Sequence, residues 1–404
     1  MVTVVLIVIA GAILAYLSYC PLPSGIAEPW RIRCTNVRHI IPDLVARGAV
    51  YLGFADPLSA LRNYYSFDKW LVSKFCKDEP SVTFTDTKFD GVSVRIYQPL
   101  EKSENPIPAM VYIHGGGWVL GTKDDYHYVV RYIAARLGIV LVNIDYRLSP
   151  EYPFPVPMED CTRATVWFLQ NAAADFNVDP TRIALCGDSA GGNLAASTSA
   201  RLTFDEKYQN MGLPKLKFQG LIYPAMQAVD FLTPSYQQND ITLLSKDLMT
   251  KFWSWYLSGD LRHAEAMKTN NHTCRRVRVI QQRLLKHSLV PETFRMEGYN
   301  FAPNEESNDS RVCNEIQDTL LNQDFAPLMR ENLTGLPPTY IVTAGFDVLR
   351  DDGIMYAERL EQAGVPVTWL HYEEGFHGIF TGYNSYNIGN TCMRDFLRHC
   401  KENL

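Results

Sequence analysis

Ile183-Ala-Leu-Cys-Gly-Asp-Ser-Ala-Gly-Gly-Asn-Leu-Ala-Ala196 is the stretch from which the architecture of this chain is read. Its first four residues form an unbroken apolar run, as a strand buried on both faces of a parallel sheet requires. Ala190 onwards reads as the start of a helix. Between the two, Gly187-Asp188-Ser189-Ala190-Gly191 fits G-x-S-x-G, in which a serine rides on a strained strand-to-helix turn. Side chains at the flanking positions would collide with that turn, so both are glycine. The helix start aims its amides and partial positive charge at any negative charge that develops beside Ser189. By itself the five-residue pattern is common in structural turns; here the flanking strand and helix are both present.

Working outward, His114-Gly115-Gly116-Gly117-Trp118 follows the apolar run Ala109–Ile113. Consecutive glycines leave backbone N–H groups unobstructed, so two can be aimed at one oxygen. Gly115 and Gly116 are the expected loop donors of an oxyanion hole, with the Ala190 amide as the third. Loss of one such donor costs ~2.7–4 kcal/mol of transition-state stabilisation. The plainer reading is a flexible turn, but a phosphate cradle needs a lysine or a dinucleotide fingerprint, and neither is present. His114 reads as a residue that holds the loop.

A serine nucleophile needs a base and an orienting acid, which follow it in the order acid, then base. Asp347 comes after the apolar run Tyr340–Ala344, and His377 comes after Val367–Leu370, inside Gly375-Phe-His-Gly378. Both lie beyond strand ends on the same sheet edge as Ser189. His377 is the expected base, with Asp347 fixing its tautomer. Competing carboxylates read differently: Asp351 and Asp352 as caps of the next helix, Glu373 and Glu374 as neighbours of His377 in sequence only. His371 reads as a packed strand residue.

The remaining apolar runs, Ile139–Ile144 and Leu221–Tyr223, alternate with helical stretches at Glu159–Ala174, Ala190–Leu202 and Gly353–Gln362. This is the α/β pattern: a mostly parallel sheet with helices on both faces. Val92–Tyr97 alternates at period two, as an antiparallel edge strand does. From Pro224 to Pro337 no sheet strand is recognisable. That interval (about 225–335) and an amphipathic helical region (about 21–80, with Ile40, Leu44, Val50 and Leu52) are read as a lid over the strands' C-terminal ends, where α/β ligands bind. The lid segment holds the aromatic cluster Phe252, Trp253, Trp255 and Tyr256.

Among 404 residues a net charge of −6 speaks against a nucleic-acid partner. Nine cysteines without CxxC spacing speak against a zinc site, and no metal or organic cofactor is indicated. An odd count leaves at least one cysteine outside any disulfide scheme. No charged side chain occurs from Val2 to Ala27, and Val4–Leu17 is almost wholly apolar. The length is near the roughly 17–25 residues needed to span a bilayer. A cleaved signal would carry a basic start and a small-residue cleavage site; Tyr19-Cys20-Pro21 is a poor one. Residues 1–20 are therefore read as a retained anchor, and 21–404 as the catalytic domain. Arg31, Arg33 and Arg38 after the segment place that domain in the cytoplasm by the positive-inside rule, whereas sequons at Asn271, Asn308 and Asn332 point to the lumen.

Taken together, His114-Gly-Gly-Gly-Trp118, Asp145-Tyr-Arg-Leu-Ser-Pro-Glu151 and Gly187-Asp-Ser-Ala-Gly-Gly192 resemble the hormone-sensitive-lipase-like branch of the α/β hydrolases. Within it the chain looks most like the arylacetamide deacetylase family. The likeness runs from Pro21-Leu-Pro and Glu28-Pro-Trp30, through Ser235-Tyr-Gln237 and Leu349-Arg-Asp-Asp-Gly353, to Gly375-Phe-His-Gly378. The resemblance implies the α/β-hydrolase fold and a serine hydrolase acting on small apolar esters or amides through an acyl-enzyme. It also implies a single-pass protein of the endoplasmic reticulum membrane with a lumenal catalytic domain. Arg275, Arg276, Arg278 and Arg283 lie in the lid segment, either tuning the substrate range or forming a solvated basic face. The rival functions are a non-catalytic binding protein on this fold, which usually loses the serine or histidine, and a serine peptidase, against which the triple glycine and the lack of a repeat region argue.

Overall fold

The computed structural model describes residue 11 and residues 22–76, 78–240, 244–295 and 310–404. The proposed anchor, apart from residue 11, and Asn308 fall outside these. Among the described residues no helix is long and apolar enough to cross a membrane.

Eight strands form one sheet in the order β1-β2-β4-β3-β5-β6-β7-β8. They are β1 (Val82–Phe89), β2 (Val92–Pro99), β3 (Ile107–Ile113), β4 (Val140–Asp145), β5 (Val178–Asp188), β6 (Phe218–Ile222), β7 (Thr339–Phe346) and β8 (Val367–Phe376). From β4 across to β8 all neighbours are parallel, while β2 runs antiparallel to both β1 and β4. The reading of β2 as the edge is thus corrected: β1 lies outside it. β1 carries no apolar pattern in sequence because only its ends, Val82 and Phe89, are buried; Thr83 to Lys88 face water and carry mostly polar side chains.

The inner strands are buried along most of their length, which is why they read as apolar runs. One face is covered by the helices Val156–Phe176, Ala190–Phe204 and Arg350–Gln362, whose Met158, Phe168, Leu194, Met355 and Leu360 fill one core. The other is covered by His127–Leu137 and Asn387–Asn403, whose Val129, Ile133, Met393 and Phe396 fill a second. Between β6 and β7 the described residues contain helices and turns but no strand, among them Lys246–Ser258, Arg275–Leu284 and Ser310–Leu320. A disulfide between Cys274 and Cys313 ties the last two together. Before β1, helices Pro29–Tyr51 and Pro57–Ser73 form a hairpin. Leu44 and Leu52 there point to solvent and not to the core.

Candidate active site

β5 runs to Asp188 and the helix Ala190–Phe204 starts two residues later, leaving Ser189 as the corner between them. Its backbone stands at φ 56° and ψ −121°, a conformation that costs a non-glycine residue of order 1–3 kcal/mol. The corner is held by Ser189 N–H donating to Ile222 O at 2.8 Å. The flanking glycines are required by space. A Cβ on Gly187 would meet Gly191 O at 2.3 Å, and one on Gly191 would meet Ile113 O at 2.1 Å.

Strand β8 is longer than its apolar core suggested and delivers the chain to His377 directly. His377 Nε2 lies 3.0 Å from Ser189 Oγ, and its Nδ1 lies 2.8 Å from Asp347 Oδ2. Asp347 is buried, and its other oxygen accepts the Leu349 N–H at 2.9 Å. The Tyr223 ring packs against the imidazole at 4.7 Å between centroids. Ser189, His377 and Asp347 therefore stand in one hydrogen-bonded line, each at the C-terminal end of a different strand.

The other carboxylates are occupied elsewhere. Glu373 pairs with His371, which also meets Thr343 Oγ1 at 2.8 Å and is a packed strand residue. Asp351 and Asp352 are not caps, since they lie inside the first turn of their helix and reach sideways. Asp351 accepts the Ser235 N–H at 2.7 Å; Asp352 accepts from the Met226 N–H at 2.9 Å and the Gln227 side-chain amide at 3.1 Å. Burial pushes the Asp352 carboxyl up to about 8. Asn239 was not singled out from sequence. Its buried amide donates to Gly345 O at 2.9 Å and Asp347 O at 3.1 Å, fixing the turn that carries Asp347. Only its closeness to Ser235-Tyr-Gln237 hinted at it.

The glycine loop requires one correction. Gly115 was expected as an oxyanion donor, but its N–H is engaged by Asp188 Oδ1 and Tyr126 OH, both at 3.1 Å. An amide already donating to a buried carboxylate is not available to a substrate oxygen. Asp188 also accepts from the hydroxyls of Tyr112 at 2.8 Å and Tyr126 at 2.9 Å. Burial raises its carboxyl above the usual range, against the pull of those donors. Asp188 was visible inside the pentapeptide, but nothing in its spacing marked it as the loop's anchor. Gly116 instead makes a tight turn: Leu120 N–H donates to its carbonyl at 2.8 Å, and a Cβ there would meet Leu120 O at 2.2 Å.

His114 is fully buried, and desolvation lowers the pKa of its imidazole. Tyr146, from the Asp145–Glu151 motif, stacks on its ring at 4.4 Å and donates its hydroxyl to His114 O at 3.0 Å. Trp118 lies parallel to Tyr256 at 4.4 Å, with Trp253 also at 4.4 Å. Both partners are fully buried, so these two members of the aromatic cluster clamp the loop. Phe252 differs: a Cβ on Gly117 would meet its ring at 2.4 Å. It therefore stands directly beside the loop's third glycine. Of the basic stretch, Arg276 pairs with Asp318 at 2.7 Å and Arg283 with Glu331, all on the exposed surface.

Comparison with known proteins gives the family. A family model described as the alpha/beta hydrolase fold matches residues 110–281 and 304–381. The chain is 40% identical to neutral cholesterol ester hydrolase 1 of Rattus norvegicus, with 97% of each chain covered. It is 38% identical to arylacetamide deacetylase of Oryctolagus cuniculus, with 99% of each covered. Among solved structures it superposes on an esterase of Pyrobaculum calidifontis with TM-score 0.64 and 27% identity, over 85% of this chain and 92% of that one. A bacterial heroin esterase matches with TM-score 0.63 and 26% identity, over 86% and 93%. The chain is a serine hydrolase of carboxylic esters and amides, and it belongs to the α/β-hydrolase family that contains arylacetamide deacetylase and neutral cholesterol ester hydrolase.

Proposed function

We propose that Ser189 is the nucleophile, His377 the base and Asp347 the orienting acid of this hydrolase. The unbroken line of hydrogen bonds from Asp347 through His377 to Ser189 carries the assignment. His377 Nε2 takes the hydroxyl proton as Ser189 Oγ bonds to the carbonyl carbon. The carbonyl oxygen becomes an oxyanion, held by the Gly116 and Ala190 amides. Gly117 takes the place that Gly115 leaves. Collapse breaks the bond to the alcohol or amine, which leaves with the proton from His377. Water, deprotonated by the same nitrogen, then releases the carboxylic acid. A fluorophosphonate probe should label the wild type and not Ser189→Ala; full labelling of that variant defeats the assignment.

The substrates we infer are apolar acyl esters and arylacetamides, because Phe252 borders the glycine loop and the named relatives act on such compounds. Residues 225–335 and the inner face of 21–80 serve as the lid. A screen of aryl acetates, arylacetamides, acylglycerols and cholesteryl esters, with Ser189→Ala as control, ranks them. Turnover of peptides alone would favour the peptidase reading.

Residues 1–20 are proposed to anchor the chain in the endoplasmic reticulum membrane, with the catalytic domain lumenal. The uncharged start of the chain supports the anchor. The Cys274–Cys313 disulfide supports the lumenal side, since disulfides persist in oxidising compartments, and Asn332 is an exposed sequon residue. Carbonate washing should leave the protein in the membrane, and protease added to intact microsomes should spare the domain. Ready digestion would favour the cytoplasmic side that Arg31 and Arg33 suggest.

A further inference from the structure

Among the described residues, nine of the fifteen exposed large apolar side chains lie between Trp30 and Phe75. They belong to the hairpin of helices Pro29–Tyr51 and Pro57–Ser73 and its flanks. The tip is barest, with Tyr51 90% and Phe54 82% exposed, and Trp30, Trp70 and Phe75 are also more than half exposed. So many large apolar side chains in one stretch mark an interaction surface.

The charge of this stretch differs from that of the whole. Residues 22–76 carry seven Arg and Lys against four Asp and Glu, in a chain of net charge −6. Two of the cations lie along aromatic rings: Lys69 over Tyr65 and Lys74 over Trp70, each at 5.1 Å from the ring centroid. Aromatic rings at headgroup depth, with long cationic side chains reaching past them to phosphate, are the chemistry of a bilayer interface.

Two sets of bonds join the hairpin to the catalytic face. At its base the Ala27 N–H donates to Glu374 O at 2.8 Å, three residues before His377. Glu28 accepts the Asn387 N–H at 2.6 Å, and Arg31 donates to Ser385 O at 2.8 Å. Along the second helix Arg62 donates to Val119 O at 3.0 Å and Ser149 O at 2.8 Å, and Ser66 to Asp125 at 3.2 Å. The hairpin thus bridges the His377 loop and the glycine loop on either side of Ser189. In sequence the uncharged stretch Val2–Ala27 directly precedes it.

We propose that the outer face of this hairpin sits in the interfacial layer of a lipid bilayer, holding the active-site mouth against the membrane so that bilayer-dissolved esters reach Ser189 without crossing bulk water. The proposal rests on the anchored reading above and adds a second, separate membrane contact. The full chain, reconstituted in phosphatidylcholine vesicles, tests it. Tyr51→Ser combined with Phe54→Ser removes side chains that pack on little, and Phe75→Ser is a second, independent variant. Each should lower kcat/KM for a long-chain ester dissolved in the vesicles at least fivefold, with p-nitrophenyl acetate hydrolysis in water changed less than twofold. Benzoylphenylalanine placed at position 54 should cross-link to phosphatidylcholine on irradiation. Unchanged kinetics on the vesicle ester overturn the proposal. So does cross-linking to a second copy of the chain, or none to lipid. Failure of the anchor shows separately, as release of wild-type protein by carbonate; lipid cross-linking that survives such release still supports the hairpin contact.

Discussion

The backbone N–H of Gly115 donates to the side chain of Asp188 at 3.1 Å, tying the glycine loop to the residue immediately ahead of Ser189. The loop is therefore set in register with Ser189 by a buried carboxylate that also gathers the hydroxyls of Tyr112 and Tyr126. Backbone amides stabilise an oxyanion only if they are aimed before the charge develops, so in the proposed mechanism this carboxylate aligns the donors without touching the substrate.

Asp188→Ala should lower kcat by about 10–100-fold with KM little changed, less than the 10²–10³ lost with a direct donor. Asp188→Asn keeps an acceptor for the Gly115 amide and should retain most of the activity. Steady-state kinetics on p-nitrophenyl butyrate separate the two. Equal losses would show that charge, not hydrogen bonding, is what the loop needs.

Asp347→Asn should reduce kcat by about 10⁴ with the melting temperature nearly unchanged, because the amide favours the wrong imidazole tautomer. Asp351→Asn and Glu373→Gln should leave kcat within a few-fold, since their carboxylates serve Ser235 and His371. Asn239→Ala should fall between, at about tenfold, the worth of one hydrogen bond of roughly 1.4 kcal/mol. A dead Glu373→Gln beside an active Asp347→Asn would reassign the acid.

Phe252 and Trp253 are adjacent in sequence but should behave differently. Phe252→Ala opens space beside Gly117 and should move the best acyl chain to greater length, each added methylene gaining ~0.8 kcal/mol at most. Trp253→Ala empties a buried clamp and should cost about 3–5 kcal/mol of stability while leaving the chain-length profile in place. Measuring kcat/KM for p-nitrophenyl esters from acetate to palmitate, with thermal melts, checks both. An unchanged profile in Phe252→Ala would place the acyl pocket elsewhere.

Asp352 should make stability depend on pH. Its carboxyl is raised by burial to about 8, from an ordinary value of 3.8. The folded protein therefore binds a proton that the unfolded chain releases. Stability from this group is present below about pH 4 and declines as pH rises to about 8, at up to about 1.4 kcal/mol per pH unit. Urea melts between pH 5 and 8 should show that decline in the wild type and a flatter dependence in Asp352→Asn. An identical slope in the two proteins would mean the group is ionised throughout.

Much of the fold was legible because the parallel strands are buried on both faces and so read as apolar runs ending in turns. β1 was not, since it pairs its backbone at the sheet edge while Thr83 to Lys88 face water. The lengths of β5 and β8 were underread for a related reason: their ends continue in polar or glycine-containing residues held by neighbouring strands. At the site, Ser189, Asp347 and His377 could be named because each follows a strand in a glycine-marked turn. That the Gly115 amide turns to Asp188 could not, because three identical residues differ only in their surroundings. Asn239 and Phe252 come from the interval without strands, where no periodic signal ties sequence to the site.

The sandwich of Trp118 with Trp253 and Tyr256 gives the molecule a built-in optical reporter. Two indoles 4.4 Å apart, set at 47° and shielded from water, form a coupled pair of chiral chromophores. Their near-ultraviolet circular dichroism depends on how the Lys246–Ser258 helix rests on the oxyanion loop. Any inhibitor, acyl chain or detergent that shifts the helix will register in that band, without a label and without turnover.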